Sequence, residues 1–168
     1  MGRIRFAIDF QPQPLSESGM DAVRFLMSAN VGEELRPIQK IASGGELARI
    51  MLAMKNVLAA EDSVGTMIFD EVDAGVSGRA AQKVAYKLWT VAKGRQVLCV
   101  THLPQIAAMA DAHYLIEKAV SNGATVSKIR WLDTAETVDE LSRMLGGVEI
   151  TDKVRESARE MKELAAKK

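Results

Sequence analysis

The first part of the chain alternates apolar and polar residues with a period of two. In "RIRFAIDF" (3–10) isoleucine and phenylalanine occupy every second position, which is the pattern of a strand with one buried face. "QPQPLSESG" (11–19) contains two prolines and a glycine and is predicted to be a loop. "AVRFLMS" (22–28) is predicted to be a second short strand, although a helix stays open for it. These segments open a sheet.

The apolar spacing then changes to that of a helix over residues 44 to about 60. One face of this helix is apolar and is predicted to lie in the core; it consists of Leu47, Ile50, Met51, Met54, Val57 and Leu58. Ser43 and Glu46 precede and open the helix with the S-x-x-E spacing of a capping box.

Two short runs follow that are almost wholly apolar, "TMIFDE" (66–71) and "QVLCVTH" (96–102). Such runs are typical of strands that are covered on both sides in a parallel α/β sheet. A predicted helix between them, with Ser77 as its N-cap and Gly94 as its end, has the length of a βαβ crossover.

The last third of the chain contains a predicted hairpin and two predicted helices. "AHYLIEKAV" and "ATVSKIRWL" are joined by "SNG", in which Asn-Gly supplies a tight turn. One helix covers about 135–145 and is stopped by Gly146, and the other begins after Thr151 as N-cap. We expect residues 1–168 to form a single α/β domain, since no repeat or second domain is visible.

Charge and cysteine content exclude several classes of protein. Lys plus Arg and Asp plus Glu both number 22, so no net charge attracts the chain to nucleic acid or to an anionic membrane. The single cysteine, Cys99, excludes an internal disulfide, and no apolar run approaches a membrane span, so the chain is expected to be cytoplasmic. Cys99 lies in an apolar strand and is a poor nucleophile, and two histidines with one cysteine give no zinc spacing.

Gly44 and Gly45 stand where they weaken a helix. Each is less favourable in a helix than alanine by about 1 kcal/mol. A capping box alone does not require them. Glycines at a helix start allow a ligand to approach the backbone closely, and the free N–H groups and the helix dipole there attract an anion such as phosphate.

Polar residues also follow both apolar strands. Asp70 and Glu71 end the first strand and His102 follows the second. Ligands of parallel α/β sheets bind at the carboxyl ends of the strands. Adjacent residues on a strand face opposite ways, so the two carboxylates are expected to do different jobs: one is suited to hold Mg²⁺ and the other to accept a proton from water. A solvated strand end and a capping histidine are the structural alternatives.

Three segments together resemble the ABC-type ATPases of the SMC branch: "ASGGELAR" (42–49), "MIFDEVDAGVSG" (67–78) and "VTHLPQIAAMAD" (100–111). They correspond to the signature motif, Walker B with the D-loop, and the switch histidine. The resemblance implies the C-terminal lobe of a P-loop ATPase head, with a mostly parallel sheet, flanking helices and an antiparallel hairpin.

The resemblance also implies roles for the motif residues. The signature, Ser43 to Glu46, would contact the γ-phosphate of an ATP held by a second head in a homodimer. Asp70 would bind Mg²⁺, Glu71 would activate water and His102 would sense the γ-phosphate. The D-loop, Asp73 to Gly78, would lie at the dimer seam, although Ser77 stands where related ATPases usually carry an aspartate.

None of the 12 glycines is followed by lysine, so the chain contains no Walker A pattern. The resemblance implies that the primary ATP site belongs to an N-terminal lobe beyond a coiled coil, and that this chain alone is inactive. We therefore expect half of an ATPase head that acts in DNA double-strand-break repair and recombination. The alternative is a non-catalytic interaction or dimerisation module. DNA binding rests on the resemblance alone.

Overall fold

The computed structural model describes residues 4–28, 32–40, 43–59, 61, 63–121, 123–147 and 149–167. Seven strands and five helices follow one another in an α/β arrangement. The strands are β1 Arg5–Ser16, β2 Gly19–Ser28, β3 Arg36–Pro37, β4 Thr66–Phe69, β5 Gln96–Cys99, β6 His113–Ser121 and β7 Ala124–Leu132. The helices are α1 Gly44–Val57, α2 Gly78–Val91, α3 Pro104–Ala107, α4 Thr134–Gly146 and α5 Asp152–Ala166, with a 3₁₀ turn at Ile38–Lys40.

The first sheet is antiparallel and has the order β1-β2-β3. The loop predicted for residues 11–19 is wrong over most of its length, because β1 continues through both prolines to Ser16. Since β1 lies at the edge of the sheet, Pro12 and Pro14 are compatible with strand structure. Residues 22–28, for which a helix was also possible, lie in β2.

The apolar face of β1 was predicted to be buried, and this is wrong for the described chain. Phe6, Ile8 and Phe10 are all exposed, while Ala7 and Asp9 on the opposite face are half-buried. Phe6 stacks on Phe25 of β2, with 5.8 Å between the ring centroids. The two strands therefore share an apolar surface that no described element covers.

Helix α1 begins and ends close to its predicted bounds, but its predicted core face is wrong. Of its six residues Leu47, Met51, Val57 and Leu58 are exposed, and Ile50 and Met54 are only half-buried. Leu52, which was not predicted, is buried. Ala48 also packs against the core cluster. The helix therefore packs through a narrow strip of its surface, and the broad apolar strip beside it faces outward.

The predicted βαβ crossover is confirmed. β4 and β5 pair in parallel, with Thr66 opposite Gln96 and Phe69 opposite Cys99, and α2 connects them. The main core lies on one face of this pair and consists of Leu52, Met67, Phe69, Val72, Ala85, Leu88, Val91 and Ile106. The α/β class is thus confirmed, with parallel pairing confined to β4 and β5 and antiparallel pairing in the other described ladders.

The described part of the chain covers only one face of the parallel pair, whereas coverage of both faces was predicted. Met67 and Phe69 are buried, but Ile68 is 71% exposed and Leu98 of β5 is exposed beside it. Side chains alternate between faces along a strand, so the outward face of the pair is apolar and open to solvent.

The remaining predicted elements are confirmed. β6 and β7 form the hairpin, whose Gly123 has φ +76°, while Asn122 lies outside the described residues. Helix α4 ends one residue later than predicted, since Gly147 and not Gly146 carries the positive φ of its C-cap. The Thr151 hydroxyl accepts a hydrogen bond from Val154 N–H at the start of α5. Helices α3, α4 and α5 pack around a second apolar cluster that contains Leu141 and Ala158.

Within the described ranges, no helix combines the length and apolar character that a membrane crossing requires.

We predict that Leu141→Ala destabilises the chain by about 2–5 kcal/mol, because a fully buried leucine loses its contacts and leaves a cavity between α3, α4 and α5. Leu164→Ala on α5 is the matched control, because Leu164 is exposed and its loss should change the free energy of unfolding by about 0.5 kcal/mol or less. Urea unfolding of both variants checks this. Equal losses in the two would contradict the packing described.

Candidate functional site

The capping box predicted at the start of α1 is present. Glu46 N–H donates to Ser43 Oγ at 3.4 Å, and Ser43 N–H donates to Glu46 Oε2 at 2.9 Å. Ser43 Oγ also donates to Glu46 Oε2 at 3.1 Å. The hydrogen bonds that the Ser43 backbone N–H and hydroxyl donate to the Glu46 carboxylate lower its pKa below its usual value. Glu46 and Ser43 therefore satisfy backbone groups of their own helix start, which is the structural role foreseen for them.

The two glycines of α1 have different surroundings. A Cβ atom on Gly45 would lie 2.7 Å from Ala74 Cβ, 2.9 Å from the Glu71 carbonyl oxygen and 3.1 Å from the Ala74 carbonyl oxygen. A Cβ atom on Gly44 would meet only the Glu71 carboxylate, whose Oε2 lies 2.7 Å away at the end of a flexible side chain. Gly45 is thus required by packing against residues 71–74, whereas the fold leaves Gly44 open towards the cleft.

Asp70 and Glu71 lie just beyond β4, in the turn that leaves the strand. Asp70 Oδ1 accepts a hydrogen bond of 2.9 Å from Glu71 N–H. Glu71 has φ +56°, a left-handed conformation that is unfavourable for any residue with a Cβ. Asp70 and Glu71 were expected to face opposite ways as adjacent residues of a strand. Instead, a local turn sets their directions and brings the Glu71 carboxylate to the start of α1.

Asp73 is the buried carboxylate of the site, with 3% of its surface exposed. Its Oδ2 accepts hydrogen bonds from Thr101 Oγ1 at 2.6 Å and from His102 N–H at 2.9 Å, and His102 Nδ1 lies 3.0 Å from it. Burial by itself raises the pKa of Asp73, but the Thr101 and His102 hydrogen bonds and the adjacent imidazole outweigh burial, so the pKa is lowered.

Arg49 fixes the same loop from the side of α1. Its guanidinium donates to the Ala74 carbonyl oxygen at 2.7 Å and to the Val72 carbonyl oxygen at 3.3 Å. Residues 71–75 are thus held against α1 by Gly45 and Arg49, and against the segment after β5 by Asp73.

The structure brings the three predicted segments together at one open cleft of about 500 Å³. Its lining comes from the start of α1, the turn after β4 and the segment after β5, and includes Ser43, Gly44, Gly45, Asp70, Glu71 and His102. Glu46 and Ser77 are not among the lining residues. Ser77 is the N-cap of α2, as predicted, but its side chain makes no capping hydrogen bond. Ala42 lies outside the described residues.

Sequence reasoning missed the parts played by Asp73, Thr101 and Arg49. Asp73 was placed in the D-loop, but its contact with Thr101 spans 28 residues of sequence and has no spacing signal. Arg49 is one of several arginines in the chain, and only the fold shows that it reaches the carbonyl oxygens of residues 72 and 74.

The donor set of the cleft fits a hard cation that is held mainly by a phosphate ligand. In the described part of the chain, no three His, Cys, Asp or Glu side chains converge as a metal site. Mg²⁺ commonly takes only one or two carboxylates and completes its shell with phosphate oxygens and water, so the exposed Asp70 is a sufficient protein ligand. Cys99 is not a nucleophile here, because burial, with Asp73 and Asp70 nearby, raises the pKa of its thiol to about 12.

Known proteins with similar sequences are bacterial DNA repair proteins named RecN. The chain is 49% identical to RecN of Bacillus subtilis over 154 residues, 92% of this chain and 27% of that protein. It is 47% identical to RecN of Deinococcus radiodurans over 159 residues, 95% of this chain and 28% of that protein. The chain thus spans little more than a quarter of these relatives. No protein-family profile matches it.

Solved structures with a similar fold are heads of Smc proteins. The Smc head domain with a coiled coil and joint from Pyrococcus yayanosii matches with a TM-score of 0.57 and 21% identity, over 82% of this chain and 26% of that chain. An SmcHead bound to the C-winged helix domain of ScpA matches with a TM-score of 0.50 and 21% identity, over 77% of this chain and 39% of that one. At this identity the likeness establishes the fold.

We predict opposite effects for alanine at the two glycines of α1. Gly45→Ala should destabilise the chain by about 1–3 kcal/mol, because the new methyl group meets backbone atoms that cannot move independently. Gly44→Ala should leave stability unchanged or raise it by up to about 1 kcal/mol, because the Glu71 side chain can swing aside and alanine favours the helix. Urea midpoints of the two variants check this, and similar losses at both positions would argue against it.

We also predict that Asp73 contributes stability that depends on pH. Its folded pKa lies below the ordinary 3.8, so the unfolded chain binds the proton more readily and the contribution is lost as pH falls through the folded pKa. Asp73→Asn should therefore lower the free energy of unfolding by about 1.5–3 kcal/mol at pH 7. The difference from the parent chain should shrink below about pH 4.

Urea titrations of both proteins from pH 7 downward measure that difference. Asp21→Asn, which removes an exposed carboxylate of β2, is the control and should show no such pH-dependent gap. A gap for Asp73→Asn that is constant across the range would exclude the ionised carboxylate as its cause.

Proposed function

We propose that this chain, a sequence of RecN type, forms the part of an SMC-like ATPase head that completes an ATP site and couples ATP binding and hydrolysis to DNA double-strand-break repair and recombination. The main support for this proposal is the set of residues that line the cleft. It joins the start of α1, the carboxylates after β4 and His102, which are the three segments that the resemblance assigns to ATP chemistry. The proposed place of action is the bacterial cytoplasm, at the nucleoid.

The start of α1 is the proposed contact for a phosphate. Gly44 leaves its approach open, and the positive end of the helix dipole favours negative charge there. The Glu71 carboxylate lies beside this position, with its Oε2 2.7 Å from where a Cβ atom on Gly44 would stand, at the end of a flexible side chain. In the proposed dimer, Ser43, Gly44 and Gly45 touch the γ-phosphate of an ATP that the other head holds. Glu46 supports this contact indirectly, through the capping box.

Glu71 is the proposed general base. Its carboxylate is exposed to the cleft, and its backbone turn directs it away from the core, where a water molecule can reach it. A base of this kind accepts a proton from the attacking water as the new bond to phosphorus forms. His102 is the proposed contact for the terminal phosphate, and Asp70 is the proposed ligand of Mg²⁺. When bound, Mg²⁺ neutralises charge on the phosphates.

Two partners are proposed: a Walker A lobe of the same kind of protein and a second head. The exposed apolar face of β4 and β5, with Ile68 and Leu98, supports the first, because contiguous apolar surface of this kind marks a site of contact with another element. The D-loop from Asp73 to Gly78 is the proposed seam with the second head, with Ser77 exposed there. DNA is proposed as a partner from the RecN relatives.

The alternative function is a non-catalytic module that docks proteins or dimerises. It requires the same fold and the same apolar faces, but it requires neither the base nor the phosphate contact. Turnover therefore separates the two functions.

We predict that Glu71→Gln lowers kcat of the assembled head by at least about 100-fold, because glutamine cannot accept the proton from water. The assay uses a chimera in which this chain replaces the matching segment of Bacillus subtilis RecN. Glu61→Gln is the matched control, because Glu61 is exposed just after α1 and outside the cleft lining, and it should leave kcat unchanged.

The 168-residue chain alone is the second control and should show no ATP turnover. Turnover by the isolated chain would contradict the composite site. A chimera that folds and binds ATP but turns over equally well with Glu71→Gln would remove Glu71 from the role of base. A folded chimera without turnover would favour the docking module.

A further inference from the structure

We infer that Asp73 is a positioning residue that holds His102 as the Nδ1–H tautomer, so that Nε2 is the ring nitrogen presented to the cleft. The functional consequence of this arrangement rests on the proposed contact between His102 and a phosphate. The arrangement itself does not, since it follows from contacts within the chain: two hydrogen bonds to Asp73 Oδ2 and the 3.0 Å approach of His102 Nδ1 to the same oxygen.

Three contacts determine the position of the His102 hydrogen, and all of them are made to one oxygen of Asp73, Oδ2. Thr101 Oγ1 lies 2.6 Å from Oδ2, His102 N lies 2.9 Å from it and His102 Nδ1 lies 3.0 Å from it. An ionised carboxylate has no hydrogen to give, so Thr101 Oγ1 and His102 N–H donate to it. Nδ1 approaches the same oxygen to 3.0 Å, where a bare nitrogen lone pair would face the negative charge and be repelled. Nδ1 of His102 therefore carries a hydrogen whether the ring is neutral or protonated.

The backbone around His102 is fixed by the same group. His102 N–H donates to Asp73, and Leu103 N–H donates to Thr101 Oγ1 at 3.1 Å, which in turn donates to Asp73. Asp73 thus holds the peptide on the N-terminal side of the ring and, through Thr101, the peptide that follows it. The backbone on both sides of the imidazole is therefore held in place relative to the carboxylate.

The part of the imidazole that does not contact Asp73 is exposed to solvent. The His102 side chain is 74% exposed, whereas its carboxylate partner is buried. Nε2 lies on the side of the imidazole opposite Nδ1, in a residue that lines the cleft. One nitrogen is consequently tied to the protein interior and the other is left for a ligand.

The position of the ring hydrogen determines whether Nε2 of His102 accepts or donates a hydrogen bond. The hydrogen bond made by one ring nitrogen determines the state of the other. In the neutral ring, Nε2 has a lone pair and accepts a hydrogen bond or a proton. When Nε2 takes up a proton from solvent, the ring becomes a cation with an N–H that can donate to an anionic phosphate oxygen, and the Asp73 carboxylate balances its charge. Without Asp73, the neutral ring is free to place its hydrogen on Nε2.

Nitrogen-15 NMR of the chain tests the assignment directly, because the chain has only two histidines. Long-range proton–nitrogen spectra, recorded at a pH at which the rings are neutral, distinguish a protonated ring nitrogen from a bare one. We expect Nδ1 of His102 to be protonated and Nε2 to be bare in the parent chain. Asp73→Asn should shift the population towards the Nε2–H tautomer. His113 reports whether the variant keeps its fold.

Asp70→Asn is the matched control, since it neutralises a carboxylate of the same cleft whose hydrogen bond is with Glu71 N–H. It should leave the His102 tautomer unchanged. A parent chain with His102 protonated at Nε2 would overturn the inference, and so would an unchanged tautomer in folded Asp73→Asn. The parent spectrum decides the tautomer even where Asp73→Asn does not fold.

A double-mutant cycle in the chimera tests whether Asp73 acts through His102. Once His102→Ala is present, adding Asp73→Asn should cause no further loss of kcat, whereas two losses that multiply would show an independent role and overturn positioning. Unchanged turnover in Glu71→Gln would contradict the proposed function alone. The tautomer of His102 is measured without ATP, so it would not be affected by that result.

Discussion

The loop from Glu71 to Gly75 determines the geometry of the whole cleft, because it is held by three contacts at once. Gly45 lets α1 approach the loop backbone, Arg49 binds its carbonyl oxygens, and Asp73 draws in Thr101 and His102. The contacts of Gly45 and Arg49 are each modest, whereas the hydrogen bonds to the charged Asp73 are worth about 1.5–3 kcal/mol. Together they connect the end of β4 to α1 on one side and to the end of β5 on the other.

The glycine doublet of α1 illustrates how two adjacent identical residues can serve different ends. Gly45 is explained by packing inside the chain, since any larger residue meets the backbone of residues 71 and 74. Gly44 has no such neighbour and faces only the Glu71 carboxylate. Packing therefore explains why residue 45 is a glycine, whereas the proposed phosphate contact explains why residue 44 is one; the backbone of both takes part in that proposed contact.

Local patterns predicted the local elements correctly. The capping box of α1, the N-cap Thr151 and the βαβ crossover all depend on residues close in sequence or on a chain reversal of standard length. Periodicity also marked the apolar faces of β1 and α1, but it could not say what covers them. Burial depends on neighbouring elements, and the described chain supplies none for these faces.

The candidate site was predicted in part for the same reason. Asp70, Glu71 and His102 follow apolar strands, and the ends of adjacent parallel strands meet at one edge, so their convergence was foreseeable. The buried Asp73 was not, because its neighbours Val72 and Ala74 give no sign that a carboxylate between them turns inward. Its partners lie on another strand end, and only the folded backbone brings them within hydrogen-bonding distance.

The left-handed backbone of Glu71 carries a cost of about 1–3 kcal/mol that a glycine at the same position would avoid. Glycine would relax the turn, but it would remove the Glu71 carboxylate from the cleft. Selection for heat resistance alone would favour the relaxed turn. The left-handed glutamate therefore lowers the stability of the fold at the residue that is the proposed general base.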